Sequence, residues 1–209
     1  MDIKQEIRKL VPPAALGLFG IDRALAEPLG EADLTVLFTD IEDYTGITDR
    51  LGDRAARDLV VVHDGIVRKA LAGCGGREIK HTGDGIMACF ASASRAIQAA
   101  VWIQLEAKAW NLAGQRTADL QIAIGMNSGA PIIDGGDLFG TVVNVAARIT
   151  DSATGGQILT SDVVRQLAAG KGFAIRLLHT SCLDGLAEPV PLFEVVWQED
   201  DSDGSVVTA

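Results

Sequence analysis

The sequence predicts an α+β fold: a ferredoxin-like split βαβ core, with an antiparallel sheet and helices packed on one face. Three observations carry that expectation. Leu34-Thr35-Val36-Leu37-Phe38 is an apolar run of strand length that ends at Asp40. From Asp43 to Ala72, Leu51, Ala55, Leu59, Val62, Ile66 and Ala70 recur at three to four residues, the spacing of one helix face. Arg77–His81 and Ile86–Phe90 are joined by Gly83-Asp84-Gly85, and Asp-Gly between β-prone runs is a hairpin signal.

The remaining elements follow in order. Gly73, Gly75 and Gly76 stop the long helix. Ser92 or Ser94 can cap an Ala-rich helix running to about Leu112, with Ile97, Val101 and Leu105 on one face. Leu120–Gly125, Ile132–Asp134 and Gln157–Thr160 read as strands and Val142–Ile149 as a helix. A small helix (Ser161–Ala169) and two strands (Phe173–Leu178, Leu192–Val196) complete the domain. Residues 1–30 hold three of the six prolines and read as an N-terminal extension. The folded domain is expected over 31–198, with an acidic, disordered tail over 199–209.

Composition narrows the function. With 209 residues, 48% of them hydrophobic, a sizeable core is available. Twenty-eight acids against 18 bases give a net charge of -10. Four of the acids, Glu199, Asp200, Asp201 and Asp203, lie in the tail. A surface of that sign repels phosphate backbones, so no nucleic-acid partner is expected. A small anionic ligand stays open, because a bound cation reverses the local field. Cys74, Cys89 and Cys182 form no CxxC pair, which points to a reducing, cytoplasmic setting. No apolar run is long enough to span a bilayer.

Two constellations can carry chemistry. Asp40 ends a buried strand and leads towards a helix N-terminus, where free N–H groups suit phosphate oxygens. Asp84 sits at a hairpin tip. If the strand and hairpin are neighbours, the two carboxylates meet and call for a cation between them. Taken singly, Asp40 also reads as a helix cap and Asp84 as an ordinary turn residue. Asn144 and Arg148 are four apart and share a helix face. They could position a sugar and absorb phosphate charge, or simply form a solvated polar face. Asp137 looks like a loop acid. His63 and His81 have no ligand partners at metal spacing and read as structural.

Together these segments resemble the class III nucleotidyl cyclase catalytic domain. The matching pieces are Phe38-Thr39-Asp40-Ile41, Ile79-Lys80-His81-Thr82-Gly83-Asp84-Gly85, and the run from Asp137 to Arg148. The resemblance implies a head-to-tail homodimer with sites at its interface. Asp40, Asp84 and the carbonyl of Ile41 would hold two Mg²⁺ or Mn²⁺ ions. Lys80 and Asp137 of the opposite chain would read the base, and Asn144 and Arg148 would come from that same chain. A Lys ammonium only donates and an ionised Asp only accepts, which matches adenine N1 and N6 and mismatches guanine. The implied activity is adenylate cyclase, converting ATP to 3′,5′-cyclic AMP and pyrophosphate. Asp184 departs from the pattern: many members carry a triphosphate-contacting Lys there, and Lys171 or Arg176 are the candidate substitutes. The alternative is a catalytically silent nucleotide-binding or dimerisation module.

Overall fold

A computed structural model describes residues 33–114, 118–185 and 188–198. The expected extension over 1–30 and the tail over 199–209 lie outside the described residues. In chain order the elements are β1 (Leu34–Ile41), α1 (Tyr44–Leu51), α2 (Asp53–Cys74), β2 (Arg77–His81), β3 (Ile86–Phe90), α3 (Ala93–Leu112) and β4 (Ile122–Gly129). There follow β5 (Ile132–Asp134), β6 (Asp137–Phe139), α4 (Thr141–Asp151), β7 (Ile158–Ser161), α5 (Asp162–Leu167), β8 (Ala174–Ser181) and β9 (Val190–Val196).

The main sheet has seven strands in the order β2-β3-β1-β4-β7-β9-β8. Its first four are the split βαβ core, antiparallel throughout. Beyond them β4 and β7 run parallel, so the complete sheet is mixed. Strand alternation sorts the side chains of the core strands into two layers. Leu37, Ile41, Ile86, Ala88, Phe90, Ile122 and Ile124 meet the main helical layer of α1, α2, α3 and α5. Leu34, Val36, Met87 and Cys89 face the other way, against Leu138 and the apolar side of α4.

The helix expected over 43–72 is two helices. Gly52 breaks it, with φ 83° and ψ 162°, a conformation that side chains with a Cβ rarely adopt. The apolar spacing survives the break, which is why the period alone reads through it. The loop expected at Asp137 is instead a second hairpin. β5 and β6 pair across Gly135 and Gly136 (φ 59° and 86°), the pair of positive φ values that a tight two-residue turn demands.

Candidate functional site

The strand order settles whether the two carboxylates meet. β1 pairs with β3 so that Thr39 lies opposite Ile86. Asp40 is one residue beyond that register, and the 83–85 turn closes at the same end of the sheet. Both glycines of the turn have a reason. Gly83 has φ 108°, and a Cβ on Gly85 would stand 1.9 Å from the Thr39 carbonyl oxygen. Asp84 is therefore held between two positions closed to larger residues. The Asp40 carboxyl is half-buried, and that of Asp84 is near enough to perturb it. Burial first, then the charge and hydrogen bond of Asp84 and the charge of Asp151, raise its pKa to about 7. Two like charges at that range retain a proton or take a cation.

The donor set fits a hard cation. Among the described residues, no three or more His, Cys, Asp or Glu side chains converge as a metal cage. Two carboxylates and a main-chain carbonyl leave the rest of a shell to water and phosphate. That arrangement suits Mg²⁺ or Mn²⁺ bound with a nucleotide, and not a structural Zn²⁺.

Lys80 and Asp137, 57 residues apart in sequence, form one pair: Lys80 Nζ donates to Asp137 Oδ2 at 2.6 Å. A register shift in β2 between Glu78 and Lys80 marks a bulge ahead of Lys80, a device that re-aims a side chain. The ammonium also lies 5.6 Å from the centre of the Phe139 ring. On the other side, the buried Leu138 anchors β6, and its N–H donates to Asp137 Oδ1 at 2.8 Å. The Lys80 bond first, and then the Leu138 N–H, hold the Asp137 carboxyl below the usual range.

Asn144 and Arg148 are exposed on α4, on one face as their spacing predicts. The opposite face, with Val142, Val143, Ala146 and Ile149, is buried. A Cβ on Gly125 would fall 2.3 Å from the Thr150 main-chain nitrogen, so α4 lies directly on β4. Asn127 Nδ2 fixes the start of the helix by donating to the Val142 carbonyl at 3.2 Å. Arg148 donates to Asp151 at 2.9 Å, an exposed pair of the kind that contributes little.

The family model for the adenylate and guanylate cyclase catalytic domain matches residues 28–191. The chain belongs to this family. It is 33% identical over 130 residues to an uncharacterised Mycobacterium tuberculosis protein, a match covering 62% of this chain and 33% of that one. It is 31% identical over 182 residues to an adenylate cyclase of Mycosarcoma maydis, covering 74% of this chain and 7% of the fungal protein. The cyclase domain thus spans a third or less of the length of these relatives. The crystal structure of an adenylate/guanylate cyclase/hydrolase from Silicibacter pomeroyi superposes with a TM-score of 0.68 at 27% identity, covering 80% of this chain and 98% of that one.

Other parts of the cyclase domain bear on the site less directly. Asp184 is exposed in the turn after Leu183, which packs against Ile149 of α4. Of the two candidate substitutes, Lys171 is exposed and Arg176 is engaged with Glu194 at 2.9 Å. A cleft of about 470 Å³ between α3 and β9 is lined by Lys108, Arg176 and Trp197 among others, and by none of Asp40, Lys80, Asp84, Asp137, Asn144 and Arg148. No described helix is long and apolar enough to cross a membrane.

Sequence reasoning missed a polar network behind the carboxylates. Thr39 Oγ1 and His63 Nε2 are 2.9 Å apart, and His63 Nδ1 lies 3.1 Å from Asp64 Oδ1. The same oxygen is 3.0 Å from His81 Nε2, while His81 Nδ1 accepts the Gly83 N–H at 3.1 Å. The available signal was His63-Asp64 on the inward face of an amphipathic helix, where polar side chains need partners.

Proposed function

We propose that this cyclase domain is an adenylate cyclase, forming 3′,5′-cyclic AMP and pyrophosphate from ATP in a head-to-tail homodimer. The observation that carries the reading is the Lys80–Asp137 pair, a donor and an acceptor held together at 2.6 Å. Adenine presents an acceptor at N1 and a donor at N6, so it can take the Lys80 ammonium and the Asp137 carboxylate in turn. Guanine presents the reverse at both positions, and buried mismatches of that kind are discriminated strongly.

In the reaction the ribose 3′-oxygen bonds to the α-phosphorus, the bond from that phosphorus to pyrophosphate breaks, and the 3′-hydroxyl proton is released. Asp40, Asp84 and the Ile41 carbonyl of one chain would hold two Mg²⁺ or Mn²⁺ ions. Bound there, the ions supply charge neutralisation for the triphosphate and acidify the 3′-hydroxyl. Asn144 of the partner chain holds the ribose in line, and Arg148 beside it meets the charge that grows on the α-phosphate. The exposed polar face of α4 and its rigid seating on β4 support these roles, since such groups act best when already oriented.

The test is to incubate the purified protein with ATP or GTP and Mn²⁺ across a range of protein concentrations, with Asp40→Ala as control. Cyclic AMP is expected from ATP, with specific activity rising with concentration as a shared site requires. No metal-dependent product at any concentration sinks the reading. A second reading, a silent nucleotide-binding module, is favoured by the acid at Asp184 and by the engagement of Arg176 with Glu194. It predicts ATP binding without turnover.

A further inference from the structure

We propose that His63, Asp64 and His81 are positioning residues, a hydrogen-bonded relay that sets the separation of the two metal-binding carboxylates from behind. The inference rests on the adenylate cyclase reading of the site. Its geometric basis is that the relay ends on the residue before each carboxylate: Thr39 precedes Asp40, and Gly83 precedes Asp84.

The bond directions are fixed by chemistry. A carboxylate only accepts, so His63 Nδ1 and His81 Nε2 carry the protons they give to Asp64 Oδ1. In a neutral ring the other nitrogen is then an acceptor. His63 Nε2 takes the Thr39 hydroxyl proton, and His81 Nδ1 takes the Gly83 N–H. Thr39 Oγ1 in turn accepts from the Ile86 N–H at 3.1 Å, which ties β3 into the same chain. Burial lowers the proton affinity of His63, in keeping with a neutral ring. The second Asp64 oxygen accepts from Arg68 at 3.2 Å. Arg68 is itself clamped to Glu78 on β2 by two bonds of 2.7 and 2.9 Å.

Packing alone does not call for such a chain. A buried apolar pair at positions 39 and 63 would fill the same space, and would leave only the Ile86 N–H to find another acceptor. What the relay adds is direction. Each link has one donor and one acceptor at a set length, so β1 and the β2–β3 turn are both referred to a single oxygen on α2. Outer partners of metal ligands commonly govern metal affinity in this way.

The experiment uses the full chain and the variants Thr39→Val, Thr39→Ser and His81→Leu. Thr39→Val keeps the shape and removes the hydroxyl. His81→Leu cuts the other arm at the exposed end of β2 and does not depend on refilling the core. Mn²⁺ binding is followed by electron paramagnetic resonance of the free ion, with 3′-deoxy-ATP present so that no cyclisation occurs. Thermal melting, kcat and KM are measured alongside. Thr39→Val and His81→Leu are expected to bind Mn²⁺ about tenfold more weakly or worse, with Thr39→Ser near wild type. The KM for ATP at saturating Mn²⁺ should change by less than about threefold, because the base-reading pair is untouched. Folded variants with wild-type Mn²⁺ affinity overturn the positioning role. So does a Thr39→Ser variant as weak as Thr39→Val, since the effect would then follow volume and not the hydroxyl. If Thr39→Val does not fold, His81→Leu decides. A wild-type protein that neither binds Mn²⁺ nor cyclises ATP overturns the function reading, and this inference with it.

Discussion

Two polar pairs sit at the working end of the sheet, and they are built on opposite principles. Asp40 and Asp84 are like charges, half-buried and pressed together, with the Asp40 carboxyl pushed up to about 7. Lys80 and Asp137 are opposite charges, partly exposed and already bonded to each other. The first pair is unbalanced until something positive arrives. The second is balanced beforehand and, in the proposed function, would share its bonds with the base. A pair of the first kind selects by charge, whereas one of the second kind selects by the direction of donor and acceptor.

The contrast can be broken most severely at the carboxylates. Asp40→Ala should lower metal-dependent cyclisation by on the order of 10³, by analogy with the loss of one preorganised electrostatic group, as read from initial rates at saturating ATP and Mn²⁺. A somewhat smaller effect is expected from reversing the proposed base-reading pair. Lys80→Glu combined with Asp137→Asn presents an acceptor and a donor where the wild type presents a donor and an acceptor. The ratio of kcat/KM for ATP to that for GTP should fall by about a hundredfold or more, and an unchanged ratio would remove Lys80 and Asp137 from base recognition.

The smallest effect concerns stability. The ordinary Asp value is 3.8 and the folded value is about 7. Between them the folded state keeps a proton that the unfolded chain has released. Stability therefore falls as pH rises through that window, and the penalty is complete above it. Asp40→Asn removes the penalty. In the metal-free protein its Tm should exceed that of wild type by about 2–4 °C at pH 8, a modest figure because Asp40 is partly exposed. The gain should shrink through pH 5 and vanish only below about pH 4, under the ordinary Asp value of 3.8, which melting curves in chelator across that range would check. No stabilisation at pH 8 would mean that the pair is relieved in some other way.

The split core was legible because each of its strands carries a strong local signal. The apolar run from Leu34 and the Asp-Gly turn at 84–85 need no tertiary information. The meeting of Asp40 and Asp84 was legible only conditionally, since it depends on β3 lying beside β1. Three features were not readable. The break at Gly52 leaves the apolar period intact. β6 is three residues long, and only Leu138 between Asp137 and Phe139 is buried; Gly135-Gly136 was the one local sign of its turn. The relay through His63 joins residues whose partners lie on three different elements, and sequence spacing holds no record of that. The bond between Lys80 and Asp137 is of the same type: family resemblance pairs them, whereas periodicity does not.

The contact between Gly85 and the Thr39 carbonyl has a further consequence. Strand and turn touch there main chain to main chain, so no rotamer of Thr39 or Gly85 opens or closes the gap. Adapting the carboxylate pair to an ion of different radius by substitution at that contact is thus sterically blocked. Any tuning must come from a position that moves one of the two backbones as a body. In metal-swapping experiments on this domain, the productive substitutions should therefore lie on the side of α2 that faces β1, away from the ion itself.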